Sequence, residues 1–410
     1  LKIAPLNFLF ATRYFTSKKS TNAITLIAWI SITAIMVGTA ALIIVLSVFN
    51  GFEDLVKGLY ADFYADIRIT PQTGKTFILN PNQLKQLQQL PGIAYYSLIA
   101  EEKALLVNGD NQSIVFVKGV DTNYIHINNI QLHMVRGRFS LGNAQKPQLI
   151  VGAGIENALG LDVERSLYPL TLYMPNTRAD NMLSSEGLYA YNVIPAGTFM
   201  IQEDFDNKYV FTNLAFVKYM LNMQPNEYSA VEIKLLQNVN AQETKASIKN
   251  LLGQTFKVQT RYQQNESLYT VMEVEKWVIY GILSIILIIA AFNMIGALTM
   301  LVLEKQKDIA VLKALGASNG LIQKIFLTEG FLLAIVGGGV GIILALVICW
   351  LQIKFHLIRL GGGTFIIDYY PVKLVLADFV LVMLTVLGIA LLAAWFPAYK
   401  AGKEKLSLKS

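Results

Sequence analysis

Residues 304–330 read EKQKDIAVLKALGASNGLIQKIFLTEG, a polar island between two long apolar runs. Ile309, Leu312 and Leu315 recur at helical spacing, while Lys305, Lys307, Asp308 and Lys313 fall mostly on the other side. Gly316 offers a left-handed stop, and Ser318 or Asn319 can cap a helix that begins at Leu321. The island therefore predicts a short amphipathic helix, a sharp turn and the entry to a further helix. The flanking runs, 277–303 and 325–351, are each long enough to cross a bilayer, which takes about 20 apolar residues. A short amphipathic helix held between two spans can lie in the headgroups, dock into a protein on that side, or serve as a solvated connection.

Composition agrees with a chain that is part membrane and part water-soluble. Of 410 residues, 54% are hydrophobic and 15% charged, with mean hydropathy +0.46. That is too apolar for an ordinary soluble domain and too polar to lie wholly in lipid. The net charge of +6 comes from cations clustered beside apolar runs, which makes them topology signals rather than a nucleic-acid surface. The single cysteine, Cys349, excludes an intramolecular disulfide.

A first apolar run, 23–49, exceeds a signal-peptide core and lacks a small-residue cleavage site, so it reads as a retained span. Before it, Lys2, Arg13, Lys18 and Lys19 stand with no acidic residue, and Phe8, Leu9, Tyr14 and Phe15 suggest a surface-lying helix. The positive-inside rule puts this end in the cytoplasm. The predicted order is a cytoplasmic segment 1–22, span one at 23–50, an extracytoplasmic domain 51–272, and span two at 273–303. The island then occupies 304–320, span three 321–353, a short outer loop 354–373, span four 374–397 and a cytoplasmic tail 398–410. The fold class is thus an α-helical membrane protein with four transmembrane helices and a large α+β domain between spans one and two.

Inside 51–272 the helix of span one continues through Phe52, Leu55, Leu59 and Phe63, then gives way to strand alternation in ADIRITP. NQLKQLQQL reads as a helix stopped by Pro91-Gly92, and KALLVNGDNQSIVFVKGVD as a hairpin turning at Asn108-Gly109. Strand patterns follow at 148–151, 168–174, 191–199 and 230–235, with helical patterns at 213–221 and 241–252. Residues 175–189, PNTRADNMLSSEGLY, interrupt two strand patterns with a polar, turn-rich segment that still carries Met182, Leu183, Leu188 and Tyr189. Its length suits either a functional loop or a tolerated surface insertion. Residues 266–276 read as a helix running unbroken into span two.

Catalytic signatures are missing. There is no G-x-x-x-x-G-K-[ST] phosphate loop, no G-x-S-x-G nucleophile, and the glycine spacing around Gly152, Gly154 and Gly160 does not suit a dinucleotide loop. His126, His133 and His356 are scattered, with no metal-ligand spacing. Spans one to three read as free of ionisable residues in their interiors, and span four carries only Asp378 near its outer end, which argues against an ion-coupled transporter. Gly337 and Gly341 form a G-x-x-x-G that permits close helix approach, with a second copy as one candidate partner.

The island, together with LSVFNGFE at the outer end of span one and the order of one span, a large domain and three spans, resembles the FtsX/MacB superfamily of ABC transporter permeases. The resemblance covers nearly the whole chain and is nearest in kind to the LolC/LolE-type lipoprotein-releasing permeases. It implies that the island is a coupling helix, 304–316, seated in a groove of a separate LolD-like ATPase that binds ATP and Mg, so that this non-catalytic chain holds no cofactor. Ile309, Leu312 and Leu315 would be its apolar anchors, Glu304, Lys307, Asp308 and Lys313 its polar contacts, and Gly316 its stop.

The resemblance further implies a multi-pass protein of the bacterial inner membrane, paired with a second copy or a paralogue. Lipoprotein acyl chains would be held among Val45, Val48, Phe49 and Phe52 of span one and Ile279, Leu283 and Ile286 of span two. A loop that hooks a separate, LolA-like periplasmic lipoprotein carrier would fall at Pro175, Arg178, Met182 and Leu183. Efflux of a drug, peptide or toxin, and signalling to a cell-wall hydrolase, are the other activities found in the superfamily. Nucleic acid is not an expected partner.

Overall fold

In a computed structural model the structure describes residues 22–165, 169–175, 188–360 and 368–403. Two compact units emerge: Leu1–Leu55, Thr270–Leu360 and Tyr369–Ser410 form a membrane unit, and Val56–Tyr269 with Gly361–Asp368 an α+β unit. The predicted surface helix around Phe8 to Phe15, the glycines 361–363 and the far tail lie outside the described residues.

Among the described residues, four helices are long and apolar enough to cross a membrane. Span one belongs to the helix Asn22–Phe63, span two to Glu266–Glu304, span three to Asn319–Phe355 and span four to Leu376–Lys403. Span two begins its helix at Glu266, as the unbroken reading of 266–276 requires. The buried faces meet in one cluster that includes Leu42, Leu46, Leu287, Met294, Phe326, Leu333, Val382 and Val386.

Span three is the hub of this unit, and its glycines explain why. A Cβ on Gly341 would lie 2.6 Å from the carbonyl oxygen of Met36, and one on Gly337 3.0 Å from that of Ile32. The next face round, at Gly338, looks to Met383 and Val386 of span four, and Gly330 to Ala394. The G-x-x-x-G is therefore consumed within the chain, against span one, and leaves no such seam for a second copy. Lipid gives helices no hydrophobic reason to associate, so close backbone approach supplies the dispersion contact.

Contrary to the expectation that spans one to three hold no ionisable residue in their interiors, span three carries Glu329. It lies within the helix of span three, is 4% exposed, and its Oε2 has no hydrogen-bond partner among the described residues. Its place at the end of the polar island hid it, because the helix starts at Asn319 and takes the last turn of the island into the span.

The α+β unit is built from β1 (Ile67–Pro71), β2 (Phe77–Ile78), β3 (Ile93–Asn108), β4 (Asn111–Val120), β5 (Met134–Gly137) and β6 (Gln148–Gly152). After these come β7 (Leu170–Pro175), β8 (Leu188–Phe199), β9 (Tyr209–Asn213), β10 (Glu227–Tyr228), β11 (Ala230–Leu235) and β12 (Phe256–Thr260). Ten of them share one sheet in the order β12-β1-β11-β3-β4-β9-β6-β8-β5, with β7 paired to both β3 and β8; β2 and β10 pair separately. The path β3-β4-β9-β6-β8-β7 and back to β3 is a closed ring. Its inward residues, among them Leu106, Val117, Val151, Leu172, Val193 and Val210, form one core. A second core joins Ile67, Ile69, Val231, Ile233 and Val258 to Leu87 and Ile248 of the two helices Pro81–Gln89 and Ala241–Leu252.

Strand β3 serves both cores because its 16 residues change partner along their length: Ile93 to Ile99 face β11, and Ile99 to Asn108 face β4. The hairpin after it is shifted one residue from the predicted turn. Asn108 pairs with Asn111, so Gly109 and Asp110 are the central residues, and only Gly109 has positive φ (57°). That is the pattern of a turn with glycine in its first central position.

The chain enters and leaves the α+β unit at adjacent, tied points. Phe63, the last residue of its helix, stacks on Phe205 with centroids 4.0 Å apart and is 1% exposed. Asp62 pairs with His133 at 2.9 Å and accepts from Asn129 Nδ2 at 2.7 Å. Arg261 pairs with Asp66 and donates to the carbonyl of Tyr64, and Gln264 donates to that of Ala65. Behind Phe63, the buried Lys118 ammonium reaches Glu232 at 2.7 Å and lies over the rings of Phe63 and Tyr124. Burial pulls the Lys118 pKa down, with Glu232 opposing. At Glu101 burial works upward, but the charges of Arg68 and Lys118 outweigh it and hold the carboxyl below its ordinary value.

The packing predicts opposite outcomes for two neighbouring glycines. Gly341→Val should cost about 1–3 kcal/mol by overpacking, whereas Gly339→Ala, with nothing within 4 Å of its Cβ, should cost nothing. Thermal unfolding of the detergent-solubilised chain checks this; equal midpoints for Gly341→Val and the unaltered chain would refute the glycine seam.

Candidate functional site

The island folds into the helix Gln306–Ala314, shorter than the predicted 304–316 because Glu304 ends the preceding helix and Leu315 is the C-cap. Gly316 sits at φ 92°; its N–H donates to Lys313 and that of Ala317 to Leu312. These two bonds make a Schellman stop, for which a left-handed glycine is the favoured residue. Ser318 then caps span three by accepting from the N–H of Leu321.

The three apolar residues of this helix do not share one face. Ile309 is 3% exposed and belongs to the buried cluster with Ile322, Phe326, Ala398 and Ala401. Leu312 is half-buried, and Leu315 is 80% exposed. Val311, which the spacing argument passed over, is 59% exposed. So Ile309 pins the helix to spans three and four, while Val311 and Leu315 are the bare apolar side chains. Summing apolar positions cannot distinguish these roles, since both faces of a short bridging helix carry them.

The polar candidates also divide. Lys307 and Asp308 are exposed, and Lys305 pairs with Asp308 at 3.8 Å. Lys313 turns inward and donates from Nζ to the carbonyl of Gly402 at 2.9 Å. That carbonyl is in the last turn of span four, where helix carbonyls lack intrahelical donors and a cation is favourable. Glu304 is half-buried beside Lys305, and its Oε2 has no hydrogen-bond partner among the described residues.

The second candidate region is the outer half of spans one and two. Val45, Val48, Phe49 and Phe52 are half-buried, as are Ile279 and Leu283, and Ile286 is 49% exposed. Leu283 packs against the membrane-unit core. The barest face of span two lies beside these residues and runs through Val278, Ile282, Ile285, Ile289 and Phe292. Spacings of four and three residues were present in the sequence, but in an all-apolar helix they do not single out a face.

At the outer end the LSVFNGFE motif acquires a structural meaning. Lys276 of span two donates to Asn50 Oδ1 at 2.8 Å, and Asn50 Nδ2 donates to Asp378 of span four. Lys276 and Asp378 are themselves 3.6 Å apart. Gly51 lets the backbone at Pro371 and Val372 lie against span one, since a Cβ there would be 2.4 Å from the Pro371 carbonyl oxygen. Gln352 organises the same loop, donating to the carbonyls of Ile358 and Tyr370.

The third candidate region is the segment between β7 and β8. Arg178, Met182 and Leu183 lie outside the described residues. Pro175 is the last residue of β7 and pairs with Leu188, so Leu188 and Tyr189, read as loop, belong to β8. Among the described residues no three of His, Cys, Asp and Glu are grouped as metal ligands.

Comparisons with known proteins cover both units. Residues 28–251 match the family described as MacB-like periplasmic core domain, and residues 280–406 match the FtsX-like permease C-terminal family. The lipoprotein-releasing system transmembrane protein LolE of Haemophilus influenzae is 28% identical, across 97% of this chain and 97% of its own. LolC of Neisseria meningitidis serogroup B, of the same system, is 26% identical across 96% of each chain. Among solved structures, the periplasmic region of MacB from Actinobacillus actinomycetemcomitans aligns with 53% of this chain and 98% of its own, at 11% identity and TM-score 0.37.

The division of the short helix into a pinned and a bare face predicts unequal costs. Ile309→Asp buries an unpaired charge in an apolar cluster and should cost several kcal/mol, whereas Leu315→Asp should stay within about 0.5 kcal/mol. Thermal unfolding of the full chain in detergent compares them; equal losses would mean that the helix is not pinned through Ile309.

Proposed function

This chain belongs to the family of membrane proteins carrying the MacB-like periplasmic core domain, and from that premise we propose that it is the permease subunit of a lipoprotein-releasing ABC transporter in the bacterial inner membrane. On this reading it takes lipoproteins from the membrane and passes them to a periplasmic carrier. It does no chemistry itself; ATP and Mg are bound by a separate ATPase.

The observation that carries the reading is the short helix Gln306–Ala314, which presents Val311 and Leu315 bare while Ile309 and Lys313 fasten it to spans three and four. An exposed apolar pair rimmed by Lys307 and Asp308 suits a groove on a protein partner. A helix so fastened cannot be displaced without carrying the ends of spans three and four with it. The lipoprotein cargo is supported by the relatives named for lipoprotein release, which match nearly the full chain. Acyl chains would lie against Val45, Val48, Phe49 and Phe52, with Ile279, Leu283 and Ile286 and the neighbouring Ile282, Ile285 and Ile289. A second permease chain, the same or a paralogue, would close that space.

Transfer of the cargo is assigned to the segment 176–187 with Pro175. Because Pro175 pairs with Leu188 and Met174 with Tyr189, a two-residue Asn-Gly turn can replace that segment while keeping the β7–β8 pairing.

Two measurements test the reading in the full complex. Val311→Asp with Leu315→Asp should lower recovery of the ATPase with the permease at least about tenfold, the scale of a lost apolar hot spot, without lowering the unfolding midpoint. The Asn-Gly replacement should leave ATP hydrolysis unchanged and abolish lipoprotein transfer to the carrier. Normal ATPase recovery in the first would remove the docking role of the helix. Normal transfer in the second would move carrier contact elsewhere, or the activity toward efflux or signalling.

A further inference from the structure

Asn50 occupies an unusual place: 5% exposed, at the outer end of a membrane helix, between a lysine and an aspartate contributed by two other helices. A carboxamide is suited to this position because its oxygen accepts from the ammonium while its nitrogen donates to the carboxylate. Aspartate at 50 would face Asp378 with like charge. Leucine would leave Lys276 and Asp378 alone, 3.6 Å apart and partly desolvated.

Neighbouring contacts gather on the same face of span one. Ser47 accepts from the Lys373 N–H at 2.9 Å, Gly51 admits the Pro371–Val372 backbone, and Asp54 pairs with Lys373. Positions 47, 50, 51 and 54 are a helical i, i+3, i+4, i+7 set. One turn deeper, Tyr280 of span two meets Thr385 of span four through their hydroxyls. The outer ends of spans one, two and four are thus joined by polar contacts, beyond the apolar cluster in which their buried faces meet.

Stability alone is a poor account of this. Desolvating a charge pair commonly costs as much as its attraction returns, and well-packed apolar residues would hold the helices equally well. A polar junction differs from an apolar one in that water can take over each partner's hydrogen bonds when the helices part. It is directional when closed and inexpensive to open.

We propose that Asn50, Lys276 and Asp378 form a clasp that holds the outer end of span two against spans one and four between turnovers and opens when span two moves outward. The three are positioning residues; none touches the cargo. The need for such an opening rests on the lipoprotein-release reading, whereas the clasp itself is a property of this chain and is measurable without the cargo.

The test uses the full chain with its ATPase in nanodiscs, carrying spin labels on cysteines introduced at the exposed positions Val274 and Leu376, with Cys349→Ala. Without ATP, the unaltered clasp should give one narrow label-to-label distance distribution, and Lys276→Met or Asp378→Asn a broad one. Lipoprotein released per ATP hydrolysed should fall about tenfold in these variants, the order of a pair coupling. The exchange Lys276→Asp with Asp378→Lys should restore the narrow distribution, because the Asn50 amide can rotate by half a turn and swap donor for acceptor. The same exchange combined with Asn50→Leu should not.

An unchanged distribution in Lys276→Met, or an exchange no narrower than the single variants, overturns the clasp. If the distributions behave as stated but release per ATP is unaltered, the clasp is static and its role in the cycle is refuted. Failure of the unaltered complex to release lipoprotein, with the distributions still responding, would instead count against the functional reading alone.

Discussion

Close contact between the backbones of spans one and three is the constraint on which the membrane unit depends. Gly337 and Gly341 have no side chain to separate them from the carbonyls of Ile32 and Met36. With those two spans fixed at that distance, Gly338 meets Met383 and Val386 of span four and Gly330 meets Ala394. The same helix is capped by Ser318, immediately after the turn at Gly316, so its position also sets where the short helix Gln306–Ala314 lies. Two adjoining small-residue faces of span three thereby fix spans one, three and four, and with them the island that precedes span three.

Polar groups are placed where this apolar frame ends. At the inner end, Lys313 satisfies a carbonyl in the last turn of span four. At the outer end, Asn50 joins a cation to an anion across three helices. In the α+β unit, Phe63 and the charged group of Lys118, Glu232, Arg68 and Glu101 occupy the region where the chain enters the fold. Burying a phenylalanine is worth about 1.5–3 kcal/mol, and the charges behind it are each paired, so this entry point is firmly held. Arg261 and Gln264 tie the exit to the carbonyls of Tyr64 and Ala65, directly after Phe63. Both unit boundaries fall within continuous helices, Asn22–Phe63 and Glu266–Glu304.

Much of this was legible in the sequence. Long apolar runs, the flanking lysines and the strand alternations identified the spans and the α+β class, because hydrophobic burial imposes its period directly on the chain. The stop at Gly316 and the cap at Ser318 were legible for a similar reason: they are local, and a few dihedrals decide them. The hairpin after β3 was legible to within one residue. The shift came from pairing along β4, since register follows which face is buried rather than the turn dipeptide alone.

Other features depended on which element packs against which. The period of Ile309, Leu312 and Leu315 marks an amphipathic helix, but only the position of spans three and four decides that Ile309 is covered and Leu315 bare. G-x-x-x-G signals close approach without naming the partner, and here it is span one. Asn50, Lys276 and Asp378 are hundreds of positions apart in sequence and carry no shared pattern, so their meeting is a product of the bundle alone. The sequence by itself determined the spans, the α+β class and the short helix with its glycine stop between spans two and three, because each follows from local hydrophobicity or backbone preference. Only the tertiary structure decided the partner of each helix face, the closed ring of β3, β4, β9, β6, β8 and β7, and the polar junction at Asn50. Those rest on contacts between distant segments, and such contacts leave no periodic trace in the chain.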